Sequence, residues 1–72
     1  MLRKDDIKAS GLVVEALPDE AFRVELPNGH RLVARMPGSL RLDFMRVAAG
    51  DRVTVELSPY DLSRGMIVSK ER

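Results

Sequence analysis

The sequence predicts an all-β fold, a five-stranded Greek-key barrel with a short helix between its third and fourth strands. Apolar and polar residues alternate with a period of two on both sides of Asn28-Gly29, which is the pattern of a β-hairpin. Three further stretches, residues 7–17, 53–57 and 65–68, also have strand-like composition. A chain of 72 residues cannot bury a core with a flat sheet of five short strands, whereas a closed barrel buries one face and removes the exposed edges.

The first predicted strand is the segment IKASGLVVEAL, residues 7–17. Its density of Val and Leu favours a strand, and Gly11 within it predicts a bend or bulge nearby. A helix is the rival interpretation, but Val13-Val14 and the glycine disfavour it. Residues 18–20, Pro-Asp-Glu, then predict a short turn.

The hairpin over residues 21–36 forms the second and third predicted strands. Phe22, Val24 and Leu26 alternate with charged residues, so we expect these three side chains in the core and the charged ones towards water or a partner. Phe22 is therefore interpreted as a core residue and not as a base-stacking residue. Asn28 and Gly29 tolerate the positive φ angles that a tight turn requires.

A short helix is predicted after the breaker Pro37-Gly38. Ser39 suits its N-cap, and Gly50 suits the left-handed position after its end. The apolar residues at helical spacing are Leu40, Phe44 and Val47.

The remaining chain predicts two more strands, at residues 53–57 and 65–68, joined by a loop over residues 58–63. The polar end SKER is expected to fray. Three strands, a helix and two strands is the order of an OB-fold, and we expect residues 1–72 to form one such domain. Barrels of this type present strands two and three to oligonucleotides, together with the loops between strands one and two and between strands four and five.

The composition excludes several classes of protein. With no cysteine and one histidine, the chain has no thiol nucleophile and no set of residues for a catalytic triad or a metal centre. We therefore expect neither an enzyme nor a cofactor or metal. The start MLRKDDIK is charged and shows no signal peptide, and no apolar run approaches the length of about 20 residues that spans a membrane, so we expect no contact with membranes. The absence of cysteine fits a reducing cytoplasm. We also expect a monomer.

Positive charge is concentrated in one part of an almost neutral chain. The net charge is +1, yet residues 29–46 carry four arginines against one aspartate. Arginine is more frequent than lysine among the basic residues, and its planar guanidinium group suits phosphates and nucleobases. We therefore predict that Arg23, Arg31 and Arg35 lie at an RNA-binding face. The alternative is that they are ordinary solvent-exposed charges on a strand without a binding role.

The chain resembles bacterial translation initiation factor one along its whole length. The segments that carry the resemblance are Gly11 with Val13, Leu17-Pro18, Phe22 to Leu26, Asn28-Gly29-His30, Gly50-Asp51, Val53 to Leu57, Pro59 to Ser63, and Gly65 with Ile67-Val68. The resemblance implies an S1-like OB-fold without enzymatic activity. It further implies binding to rRNA and a neighbouring ribosomal protein at the A site of the small ribosomal subunit, where the protein blocks premature tRNA entry and assists initiation factors two and three.

The resemblance extends the set of predicted RNA-binding residues. Tyr60 lies in a polar loop, where its ring could stack on a base or pack over the barrel mouth. The full predicted set is Arg23, His30, Arg31, Arg35, Ser39, Arg41, Arg46, Tyr60, Arg64 and Lys70.

The chain departs from the family in a loop that is usually rich in lysine. Ser39 and Leu42 stand where lysine is common, and Met66 and Ser69 stand where arginine and an aromatic residue are common. The family's RNA face is therefore expected to be electrostatically weaker here. Two other functions remain open: a general RNA chaperone of the cold-shock or S1 type, and a small barrel that binds a protein through an exposed apolar patch.

Overall fold

Five strands form a closed barrel in the computed structural model, which describes residues 6–36 and 47–71. The strand order around the barrel is β1-β2-β3-β5-β4, in which β3 and β5 are parallel and every other pair is antiparallel. This is the predicted OB-fold barrel. The strands are β1 (Ile7–Leu17), β2 (Ala21–Glu25), β3 (Arg31–Arg35), β4 (Arg52–Ser58) and β5 (Asp61–Glu71).

The long strand β1 closes the barrel by pairing with two neighbours. Its first half pairs with β4 and its second half with β2, and the register with β2 shifts between Val13 and Glu15. The bulge therefore lies at Val14, whereas the sequence placed a bend or bulge near Gly11. Gly11 serves close packing instead, because a Cβ there would collide with Cγ1 of Val24.

The predicted hairpin is present. Its turn is held by hydrogen bonds from the Gly29 amide to the Leu26 carbonyl (2.9 Å) and from the Leu26 amide to the His30 carbonyl (2.8 Å). Gly29 has a φ of 87°, as its place in a tight turn requires. The turn after β1 also forms as expected, as a single 3₁₀ turn at Pro18–Glu20.

All five strands contribute side chains to the core of the barrel. Phe22 and Val24 of β2 are buried in the core, as predicted, whereas Leu26, predicted with them, is partly buried and packs against the core cluster. The core cluster comprises Val13, Phe22, Val24, Leu32, Ala34, Val53, Val55, Leu57 and Ile67.

The last strand is longer than the sequence predicts. β5 begins at Asp61 and continues to Glu71, so a loop up to Ser63 and a frayed end at residues 69–71 are both wrong. The reason is tertiary pairing: β5 is bonded to β3 on one side and along β4 on the other, with Arg52 opposite Glu71. Such pairing stabilises strands whose own sequence is weakly strand-forming.

Most of the predicted helix, from Ser39 to residue 46, lies outside the described residues. Gly50 has a φ of 98°, which is the left-handed conformation expected for it, and Val47 packs against the core. In the described ranges, no helix is long and apolar enough to cross a membrane.

Candidate nucleic-acid interface

Four arginines lie on the outer face of the β2, β3 and β5 strands. Leu32 and Ala34 of β3 are buried in the core, so the residues between and beside them face outward. The register then places Arg23 of β2 beside Val33 of β3, and Val33 beside Arg64 of β5. Three neighbouring strands thus contribute guanidinium groups to one face.

Arg23 and Arg31 are already paired with carboxylates. Arg23 forms an ion pair with Glu15 on β1, and Nε of Arg31 lies 3.0 Å from Oε1 of Glu25 across the hairpin. Both pairs are exposed, and exposed pairs of this kind contribute about 0.2–1 kcal/mol each. The pairing nearly cancels the charge of this region, although a phosphate could still compete for either arginine.

The Glu25–Arg31 pair could have been found from the sequence. The two residues are directly opposite each other in the hairpin register, and opposite charges at such positions attract. The Glu15–Arg23 pair depends on how β1 docks on β2, which the hairpin alone does not indicate.

Arg35 and Arg64 differ from Arg23 and Arg31 in their electrostatic surroundings. Nη1 of Arg35 donates a hydrogen bond of 3.3 Å to the Asp19 carbonyl oxygen, and within residues 6–36 and 47–71 neither arginine forms an ion pair. The two side chains border a groove of about 500 Å³ between β3 and β5, which Val33, Ser63 and Gly65 also line. Two guanidinium groups at one open groove form a site suited to a phosphate.

Gly65 shapes the floor of this groove. A Cβ at this position would lie 2.8 Å from Cδ1 of Leu32 and 3.1 Å from the Glu56 carbonyl oxygen. Only glycine therefore lets β5 approach its neighbours this closely. The resemblance included Gly65, but the sequence did not indicate this packing role.

Tyr60 is 81% exposed in the turn between β4 and β5. It therefore does not pack over the barrel mouth, which was one of its two expected arrangements. Its ring is free for stacking on an unpaired base. The following residue, Asp61, accepts hydrogen bonds from the hydroxyl and amide of Ser63, and these bonds, with a smaller effect of the Arg64 charge, lower the pKa of the Asp61 carboxyl.

His30 has a structural contact that the sequence did not indicate. Its Nε2 donates to the Leu62 carbonyl oxygen at 2.6 Å, and its amide donates to Oδ1 of Asn28 at 3.0 Å. The bond to Leu62 ties the hairpin turn to the start of β5, and the bond to Asn28 lies within the turn itself. An RNA contact by His30 stays a prediction, and one of its ring nitrogens is already engaged.

Lys70 lies 3.4 Å from the Asp51 carboxylate. The same carboxylate accepts a 2.9 Å hydrogen bond from the Ala48 amide. The Ala48 bond first, and Lys70 after it, lower the pKa of Asp51. Lys70 therefore helps to hold the segment that enters β4, and its predicted RNA contact remains untested.

Three of the ten predicted site residues, Ser39, Arg41 and Arg46, lie outside the described residues. The structure brings Arg35 and Arg64 together, and it places Arg23 and Arg31 on the same outer face. His30 and Lys70 instead form contacts within the protein. In the part of the chain that the structure covers, no group of three or more His, Asp or Glu side chains could hold a metal ion.

Comparison with known proteins agrees with this geometry. The family of translation initiation factor 1A / IF-1 matches residues 2–72. The fold is similar to the solution structure of translation initiation factor one from the Wolbachia endosymbiont strain TRS of Brugia malayi, with 35% identity and a TM-score of 0.77 over 96% of this chain and 82% of that one. It is also similar to YjeQ from Thermotoga maritima, with 25% identity and a TM-score of 0.73 over 92% of this chain but only 23% of YjeQ.

Proposed function

The chain belongs to the translation initiation factor 1A / IF-1 family, and on that premise we propose that it binds rRNA at the A site of the small ribosomal subunit. In this proposal it blocks premature tRNA entry and assists initiation factors two and three. It acts as a monomer in the cytoplasm and catalyses no reaction.

The observation that carries the proposal is the groove between Arg35 and Arg64. Phosphate contacts supply most of the affinity of proteins for nucleic acids, and here two guanidinium groups without a carboxylate partner among the described residues border one groove. Exposed Tyr60 lies in the turn that leads into β5 and adds a surface on which a base could stack. Folded RNA is recognised largely by shape and by its unpaired bases, which this combination suits.

The mechanism is occupancy of a site. The barrel core is closed and well packed, so the outer face presents its arginines in a defined arrangement. A rigid face loses little conformational entropy on binding. A protein held in this way excludes tRNA by filling the space that tRNA would enter.

Co-sedimentation with purified small ribosomal subunits tests the proposal. We expect stoichiometric binding at low salt that weakens as salt rises, because phosphate contacts release counterions. Deacylated tRNA supplied at the A site should compete with the protein. No co-sedimentation at low salt, or binding that tRNA leaves unchanged, would contradict the proposal.

A general RNA chaperone is the first alternative. Such proteins bind single strands by stacking several bases on aromatic side chains, and over the described ranges Tyr60 is the one exposed aromatic residue. Equal affinity for an unstructured RNA oligonucleotide and for the small subunit would favour this alternative.

Protein binding is the second alternative, and one observation favours it. The barrel mouth formed by Ile7, Leu26, Leu57 and Leu62 holds an apolar groove of about 570 Å³, and Ile7 and Leu62 are each more than 40% exposed. Substituting Leu62 by serine separates the two functions. If Leu62→Ser leaves subunit binding intact, the mouth is not needed for it.

A further inference from the structure

Glu56 is a buried carboxylate on the outer side of β4. Its neighbours Val55 and Leu57 point into the core, so the Glu56 side chain faces outward, yet it is only 6% exposed. Its Oε2 atom has no hydrogen-bond partner among the described residues. A buried carboxylate oxygen without a partner is rare in folded proteins and calls for an explanation.

The carboxylate lines a pocket of about 210 Å³ between β4 and β5. In the strand register, Glu56 lies opposite Met66 of β5 and Lys8 of β1. The pocket combines carboxylates, apolar walls and one arginine, and its lining residues are Asp6, Glu56, Leu57, Ser58, Arg64, Gly65 and Met66.

The neighbouring cations do not neutralise Glu56. Lys8 is exposed, and across the described ranges neither Lys8 nor Arg64 forms an ion pair with it. The charge of Arg64 acts instead on Asp61, whose pKa it helps to lower. Because buried charges are stable only when they are paired or hydrogen-bonded, the Glu56 site suits an incoming group that carries positive charge.

We propose that this pocket binds the basic side chain, arginine or lysine, of a protein partner. The cation would bind Oε2 of Glu56, and its aliphatic stem would pack on half-buried Met66, which lies opposite Glu56 in the ladder, as long basic side chains do on apolar surfaces. A neutral nucleobase amino group could donate a hydrogen bond here but would leave the charge uncompensated.

This inference rests on the proposed function, because it assumes that the protein partner is met on the surface of the small ribosomal subunit. Arg64 and Gly65 line both this pocket and the groove beside Arg35. A protein that follows rRNA along the subunit surface could therefore place a basic side chain beside Glu56 while a phosphate occupies the groove.

An NMR titration with two small ligands tests the site. N-acetyl-arginine amide carries the guanidinium, and N-acetyl-citrulline amide has the same shape without the charge. We expect the arginine ligand to shift the amide resonances of Glu56, Gly65 and Met66 and to bind at least tenfold more tightly than the citrulline ligand. Glu56→Gln should abolish this preference, whereas the matched control Glu25→Gln, on an exposed carboxylate of β2, should keep it.

Several results would overturn the inference. These are equal binding of both ligands, an arginine preference that survives in folded Glu56→Gln, and shifts at these amides with cytidine monophosphate but not with the arginine ligand. Thermal unfolding of each variant shows whether it is folded, and Glu56→Met, which has no carboxylate, supplies a second test if Glu56→Gln does not fold.

The two proposals fail separately. If the arginine ligand binds as expected but the protein does not co-sediment with small subunits, the pocket stands and the proposed function falls. If the protein co-sediments and the ligands do not distinguish Glu56, the pocket inference falls alone.

Discussion

The outer face of the barrel has two regions that contain the same side chain in different electrostatic surroundings. On β2 and the start of β3, Arg23 and Arg31 face Glu15 and Glu25 at ion-pair distance. Between β3 and β5, Arg35 and Arg64 border a groove without a carboxylate partner in the described ranges. We call these the paired region and the open region.

The difference shows why the number of arginines on a face does not measure its affinity for a polyanion. A phosphate that approaches the paired region must first displace a carboxylate, whereas the open region offers its donors directly. The sequence alone suggested three equivalent strand arginines, at positions 23, 31 and 35. The structure separates Arg35 from the other two and groups it with Arg64.

The largest expected effect comes from removing both guanidinium groups of the open region. Arg35→Gln with Arg64→Gln should weaken binding to small subunits by on the order of a hundredfold at low salt, because each hydrogen bond to a charged group is worth about 1.5 kcal/mol or more. The logarithmic salt slope should become shallower by about 1.4–1.8. Co-sedimentation at several salt concentrations measures both quantities.

The matched control for this variant is Arg23→Gln with Arg31→Gln, which removes the same charge from the paired region. It should weaken binding several-fold at most. Equal losses from the two double variants would show that the ion pairs do not distinguish the regions.

A second effect concerns the shape of the open region. Gly65→Ala places a Cβ against Leu32 and the Glu56 backbone, so β5 must shift, at a cost of about 1–3 kcal/mol as in other overpacked sites. Chemical denaturation measures this loss. Gly29→Ala is a useful control, since its Cβ would meet nothing within 4 Å and any loss of stability would come from the backbone angle alone. If Gly65→Ala is as stable as the wild type, the floor of the groove can adapt to the added methyl group.

A smaller effect is expected when the carboxylates of the paired region are removed. Glu15→Gln with Glu25→Gln releases the paired arginines, and since exposed pairs are worth about 0.2–1 kcal/mol each, binding to small subunits should tighten by up to about fivefold per pair. The gain should shrink at high salt because it is electrostatic. Adding Arg23→Gln and Arg31→Gln to this variant should remove the gain, and a gain that persists would have another cause.

The smallest effect is a dependence of stability on acid. The pKa of Asp51 is below its ordinary value of 3.8, chiefly through the Ala48 amide and then through Lys70. A carboxyl with a lowered folded pKa stabilises the fold above its unfolded pKa, and this contribution is lost as the pH falls below about 4 towards the folded pKa.

Thermal unfolding between pH 6 and pH 3 measures this effect in the wild type and in Asp51→Asn. The difference in melting temperature between the two should narrow as the pH falls. Glu15→Gln serves as a control, because its carboxylate pairs only at the exposed surface. A constant difference across the range would show that Asp51 acts through shape and not through its charge.

The hairpin is the part of the fold that local features of the sequence predict most completely. Alternation placed Phe22 and Val24 in the core, and Asn28-Gly29 placed the turn, because side-chain direction and turn geometry depend on residues close together in the chain. The closed five-stranded barrel followed from the order of such segments and the small size of the chain. The predicted helix lies mostly outside the described residues, so it remains a prediction.

The extent of β5 and the pairing of each charged side chain depend on contacts between strands. Asp61 joins the strand because it pairs with Ser58 of β4, and Glu71 at the other end pairs with Arg52 across the ladder. In the same way, contacts between strands bring Glu15 into an ion pair with Arg23 and bury Glu56 beside Met66. The physical reason is that electrostatic pairing and burial depend on what lies across the sheet, which the period of a single strand does not specify.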